Sequence, residues 1–101
     1  MHATPTTVTL RYFEGCPNWR TTDRDLEELR DEYGFELVRQ RVETEEEAAR
    51  LGLFGSPAVL IDDVDPFAVG GQPTGLACRV YANEDGLRGA PSREALHAAL
   101  A

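Results

Sequence analysis

The sequence predicts an α/β sandwich, a β-α-β unit followed by a β-β-α unit, with a four-stranded mixed sheet and helices on both faces. Three observations lead there. A strand, a long amphipathic helix and a second strand follow one another from residue 8 to residue 42, the pattern of a right-handed crossover between parallel strands. Ala58-Val59-Leu60-Ile61 is a short, wholly apolar run of the kind that forms a buried strand. Ser92 then opens a last amphipathic segment, with Leu96 and Leu100 on its inward side.

Residues 1–6 read as a loosely attached arm. The first strand, Val8 to Phe13, alternates and then turns apolar, as expected where both sheet faces are covered. The helix runs from Asn18 to Tyr33. Trp19, Thr22, Leu26, Leu29 and Tyr33 fall on one stripe, charged residues fill the opposite face, and Gly34 supplies a left-handed cap. Phe35 to Val42 is β-rich but interrupted by Arg39, Gln40 and Arg41, which puts it near a sheet edge. Thr44 and Glu47 form a capping box that opens a short helix ending at Gly52. Leu53 to Pro57 reads as a turn into the buried strand. Residues 62–77, with Pro66, Gly70, Gly71, Pro73 and Gly75, read as a long loop. Cys78 to Tyr81 reads as the last strand and Asn83 to Gly86 as a turn.

At 101 residues the chain is expected to be one domain with one core. Ten basic and eighteen acidic residues give a formal charge of −8, which argues against nucleic acid or an anionic membrane as partner. No segment approaches the roughly 20 apolar residues of a membrane helix. The opening residues lack the basic region and apolar core of a secretory signal. Two cysteines in a chain of this size do not make a disulfide scaffold, and a cytoplasmic protein with functional thiols is the expectation. Nothing sets an oligomeric state.

The chemistry concentrates at Tyr12-Phe13-Glu14-Gly15-Cys16-Pro17-Asn18-Trp19. Gly15 permits a tight strand-to-helix path, and Pro17 suits the first helical position. Cys16 then faces the unpaired N–H groups at the helix mouth, where the dipole favours a thiolate and makes the sulfur a nucleophile. The competing reading is a buried structural cysteine behaving as a small hydrophobe. Attack by the Cys16 thiolate on a disulfide, sulfenate or peroxide leaves a mixed disulfide or a sulfenic acid.

The strand–Gly15-Cys16-Pro17-Asn18-Trp19–helix arrangement resembles the active-site turn of thioredoxin-fold proteins. So does Leu51-Gly52-Leu53-Phe54-Gly55-Ser56-Pro57-Ala58-Val59, which is similar to the stretch carrying that family's cis-proline beside the reactive cysteine. The run from Gly86 through Gly89, Pro91 and Ser92 into a helix is the third likeness. More closely, Tyr12 to Trp19, Gly55-Ser56-Pro57, Asp65-Pro66-Phe67 and Cys78-Arg79-Val80-Tyr81 resemble the DF family of small thioredoxin-like proteins, some of which carry selenocysteine at the thiol position. The resemblance implies redox chemistry at Cys16 and a cis Pro57. Pro17, Trp19, Ser56 and Pro57 are the candidate substrate-binding residues: Trp19, directly after the turn, lines a groove or packs in the core, and Ser56 and Pro57 offer backbone groups to an extended ligand or serve simply as a turn. It also marks a departure. Trp19 stands where a Cys-x-x-Cys motif has its second cysteine, so the chain is read as a monothiol oxidoreductase.

The product at Cys16 needs a second thiol, from a small molecule, a partner protein or Cys78. A short hairpin from Ile61 would leave Cys78 at the far end of the sheet as a buried core cysteine, whereas bridging requires Cα atoms within about 7 Å. The long loop before Cys78 leaves the return route open. Arg11, Arg20 and Arg79 are the basic residues placed near the thiol, with Glu14 opposing them. Neither His2 nor His97 has zinc-site spacing to a cysteine, and no cofactor or metal is implied. The partner expected is a protein or small-molecule thiol or disulfide. Two other functions compete: a non-catalytic binding module with a groove between Trp19 and Ser56-Pro57, and a soft-metal or organometallic site using Cys16 with Cys78.

Overall fold

The computed structural model describes residues 6–67, 74–83 and 86–100. The central element is β1 (Thr7–Tyr12), paired in parallel with β2 (Glu36–Arg41) and antiparallel with β4 (Ala58–Ile61), giving the order β2-β1-β4. Between β1 and β2 lies α1 (Trp19–Tyr33), closed by Gly34 at φ 75°, whose N–H donates to Arg30 O. Between β2 and β4 come α2 (Glu45–Leu51) and the three-residue β3 (Phe54–Ser56). The Thr44 hydroxyl accepts from Glu47 N at 3.0 Å, and the Glu47 carboxylate reaches back to Glu43 N at 3.0 Å, so α2 is capped from both directions. β5 (Gly75–Cys78) pairs in parallel with β3. β6 (Tyr81–Asn83) and β7 (Gly86–Arg88) form an antiparallel pair, and α3 (Arg93–Leu100) follows with Ala95 N donating to Ser92 Oγ at 3.0 Å.

Side-chain alternation along the strands divides the core in two. Val8, Leu10 and Val59 face α1 and α3, closing over Leu26, Leu29, Phe35 and Leu96. Ala58 and Leu60 face the other way, onto Val42, Ala48 and Leu53 beneath α2. Each fully buried leucine contributes about 1.5–3 kcal/mol relative to exposure.

The four-stranded sheet expected from the sequence does not form; the described strands make sheets of three, two and two. Two features account for the difference. Beyond Ile61 the backbone reverses through Asp62 and Asp63, both in the left-handed region at φ 49° and 69°, which aspartate tolerates. Val64 then bonds back to Ile61 in both directions, N to O 3.1 and 2.8 Å. The expected last strand, Cys78 to Tyr81, is also split. Cys78 ends β5, Tyr81 begins β6, and between them Arg79 turns inward to Asp65. The last residue of β4 is thus bridged by its own continuation, and the later segment runs along β3 instead.

Phe54 to Ser56 is strand rather than turn, and part of the expected long loop, Gly75 to Ala77, is strand as well. The arm expected over residues 1–6 lies outside the described residues except for Thr6, whose carbonyl accepts from Glu36 N. Gly70, Gly71, Pro73 and the tip of the Asn83–Gly86 turn also lie outside them. Among the described residues no helix is long and apolar enough to cross a membrane.

Candidate functional site

Cys16 leaves β1 through a tight turn in which its N–H donates to Phe13 O at 3.3 Å. Gly15 lets the Phe13 ring lie over the turn, since a Cβ would stand 2.5 Å from that ring and force it aside. Pro17 is exposed and opens the entry to α1, its carbonyl accepting from Arg20 N at 3.1 Å. The helix begins at Trp19 with Asn18 as its cap, so Pro17 precedes the helix rather than taking its first position, and Cys16 lies two residues before the cap, fully buried.

The second wall is Ser56. Its hydroxyl accepts from Phe13 N at 3.2 Å, fastening β3 to the turn, and its carbonyl oxygen lies 3.7 Å from Cys16 Sγ. The Ser56–Pro57 peptide bond is cis. The two residues are buried and their carbonyls are engaged inside the fold: Ser56 O accepts from Arg79 N at 2.9 Å, and Pro57 O accepts from the Tyr81 hydroxyl. Asn18 closes a third side, with Nδ2 3.6 Å from Cys16 Sγ.

Cys78 arrives at the same point. In the β3–β5 pairing it sits opposite Ser56, and three steps of β5 span two of β3, a bulge that redirects the side chain. Cys16 and Cys78 are joined by a disulfide, Cα to Cα 5.7 Å, across 62 residues of chain. The reading of Cys78 as a buried core cysteine is thereby corrected: it is exposed and bonded to Cys16. The physical cause is the parallel run of β5 along β3, which carries residue 78 back over the sheet to the mouth of α1. Closing a loop of this length contributes about 4 kcal/mol in the chain-entropy description.

A buried polar cluster holds β5 in that path. The Arg79 guanidinium meets the Asp65 carboxylate at 2.6 and 3.3 Å, and the two side chains are 2 % and 12 % exposed. A buried pair in this geometry is costly to break from one side, about 3–5 kcal/mol, because the surviving charge stays buried without its partner. Arg79 also lies over the Tyr81 ring at 4.7 Å, and Phe67 meets that ring edge-on at 5.5 Å. Burial pushes the Tyr81 phenol pKa up from its usual value, the nearby Arg79 charge opposes this, and Asp65 adds to it.

The other basic residues singled out in the sequence are engaged elsewhere. Arg11 bonds Gln40 Oε1 at 2.6 Å and Leu51 O at 2.9 Å, and Arg20 stands 5.3 Å over the Trp19 ring. Trp19 is half-buried, stacked on Tyr12 at 4.2 Å, with its indole nitrogen buried and without a partner. His97 pairs with Tyr33, far along α1 from the cysteine, and His2 lies outside the described residues. Among the described residues no group of three or more His, Cys, Asp or Glu gathers as a metal site.

Three contributors were not anticipated as such: Asn18, Asp65 and Tyr81. For Tyr81 a signal existed, because Arg79 and Tyr81 are two apart in a short β-rich run and such residues share a face. No family model matches the chain, and no curated protein matches it.

Proposed function

We propose that the protein is a thiol–disulfide oxidoreductase whose redox couple is Cys16–Cys78. The observation that carries this reading is the bond between the two sulfurs at the mouth of α1. In the reductive direction two thiols of a partner surrender two electrons and two protons. The Cys16–Cys78 bond breaks, a partner disulfide forms, and the protein is left with two thiols; the reverse direction oxidises the couple at the partner's expense. Cys16 is the sulfur best placed to carry negative charge, with the Asn18 amide at 3.6 Å and the positive end of α1 before it. Cys78 supplies the second sulfur of the couple, in place of the absent second cysteine of a Cys-x-x-Cys motif.

The proposal includes kinship of the Gly15–Trp19 turn with the active-site turns of thioredoxin-like proteins of the DF type. It also places the protein in the cytoplasm, where a disulfide of this kind is transient and catalytic rather than structural.

The test is turnover of a small disulfide substrate by the reduced protein, with alkylatable thiols counted by intact mass. Both protein thiols should disappear together as substrate is reduced, and Cys16→Ser should fall to the background rate of free thiol. Equal rates for wild type and Cys16→Ser, or oxidation without a Cys16–Cys78 bond, would sink the reading.

A further inference from the structure

We propose that, in the oxidised protein, a partner thiol attacks Cys78, and that Cys16 is the leaving group. The inference rests on the redox reading above and specifies which sulfur of the couple a partner meets.

Disulfide exchange is an in-line displacement, so the incoming thiolate must approach the attacked sulfur from the side opposite the bond that breaks. For Cys16 that side is closed. The residue has no exposed surface, and its Sγ is enclosed by Ser56 O at 3.7 Å and Asn18 Nδ2 at 3.6 Å. Cys78, by contrast, is exposed at the end of β5, so a thiolate arriving from solvent can reach it. A surface cavity of about 280 Å³ flanks it, with Gly55, Gly75, Ala77 and Val80 in its wall. Phe54, Thr74 and Arg79 complete the wall; the cavity gives the substituent on an incoming sulfur a place to lie, and Val80, 61 % exposed, offers it apolar contact.

The leaving group argues the same way. The sulfur that departs more readily is the one whose thiolate is better stabilised. That is Cys16, which has the Asn18 N–H donor and the helix mouth beside it.

The step balances. A peptide or low-molecular-weight thiolate forms an S–S bond with Cys78 Sγ, and the Cys78–Cys16 bond breaks with its electron pair going to Cys16 as thiolate. A second partner thiolate then attacks the partner sulfur of the mixed disulfide. The partner disulfide forms, and Cys78 leaves as a thiolate that takes a proton from solvent. Run backward, the partner disulfide is opened by Cys78, and the Cys16 thiolate closes the internal bond on Cys78. Cys16 is thus the internal nucleophile, and Cys78 is the sulfur that partners touch.

Glutathione is a suitable probe. Oxidised wild-type protein is mixed with reduced glutathione, quenched in acid at short times, blocked with a maleimide and mapped by peptide mass. In parallel, Cys16→Ser and Cys78→Ser are equilibrated with glutathione disulfide. The expected result is glutathione on the Cys78 peptide with maleimide on Cys16. The Cys16→Ser variant should also carry more adduct than Cys78→Ser, by about tenfold, because a buried sulfur has no room for a glutathionyl group. Glutathione on Cys16 with maleimide on Cys78 would overturn the inference and leave the redox couple standing. An internal bond that never exchanges with glutathione, together with an unmodified Cys16→Ser variant, would overturn both.

Discussion

Asn18 directs its side-chain amide at the Cys16 sulfur, and the absence of a side chain at Gly89 leaves it the space to do so. Nδ2 is 3.6 Å from Sγ, and a Cβ on residue 89 would fall 2.1 Å from the same nitrogen, so the amide occupies the room beside Gly89 in the loop before α3. Asn18 makes no side-chain cap to α1, which leaves its donor for the sulfur.

That placement makes Asn18→Asp the informative substitution. The shape is kept while an N–H donor becomes an anion facing the thiolate. Alkylation of Cys16 by iodoacetamide in the reduced protein should slow at neutral pH on the order of tenfold, the effect of a one-unit change in thiol acidity. Asn18→Ala removes the donor without adding charge and should slow the reaction less. Identical rates in all three proteins would remove Asn18 from any electrostatic role.

Gly55 governs whether the two sulfurs meet. It sits at φ 99°, and a Cβ there would lie 2.9 Å from Arg79 Cβ, 3.1 Å from Arg79 Cα and 3.2 Å from Ala77 O. Two of these three atoms belong to the backbone of the segment that carries Cys78, so relief requires β5 to move off β3. Gly55→Ala is therefore expected to cost about 1–3 kcal/mol through the left-handed backbone alone. It should also lower the effective concentration of Cys78 at Cys16. The reading is the ratio of internally bonded to glutathionylated protein in a glutathione redox buffer, which should shift toward the adduct. A variant that loses stability in denaturant while keeping that ratio would show that β5 is not what brings the cysteines together.

These relationships explain what the sequence could and could not disclose. The reactive turn, α1 and its Gly34 cap, and the Thr44–Glu47 box are legible because each is decided within a few residues by backbone preference or a short capping bond. The parallel β1–β2 pairing follows from the length of the helix between the strands. The partnership of Cys78 is different in kind. It depends on β5 pairing with β3, which is favoured by the Arg79–Asp65 pair, by the missing Cβ at Gly55, and by the reversal at Asp62 and Asp63 that turns the chain away at the end of β4. None of these has a local periodicity. Arg79 in particular reads as a surface residue until its carboxylate is found fourteen positions earlier.

Tyr81 supplies a pH-dependent check on the same cluster. Its hydroxyl donates to Pro57 O, directly beyond the Ser56 carbonyl that lines the cysteine site, and burial raises its pKa in the folded protein. The unfolded chain ionises this phenol near pH 10. A group whose folded pKa lies above its unfolded one contributes stability that is complete below the unfolded value and is lost as pH rises through the folded one. Above about pH 10 the unfolding free energy should therefore fall by up to about 1.4 kcal/mol per unit. Tyr33 is shifted in the same direction, by desolvation and then by Glu32, so the wild-type slope is not Tyr81's alone. Tyr81→Phe isolates the difference. It should cost about 1 kcal/mol at neutral pH for the lost hydrogen bond, then flatten the alkaline slope as urea midpoints are followed from about pH 8 to about pH 11. Because Tyr33 is common to both proteins, curves that stay parallel across the whole range would mean that the Tyr81 phenol ionises as readily folded as unfolded. The polar cluster beneath β5 would then be open to water rather than closed by Arg79, Asp65 and Phe67.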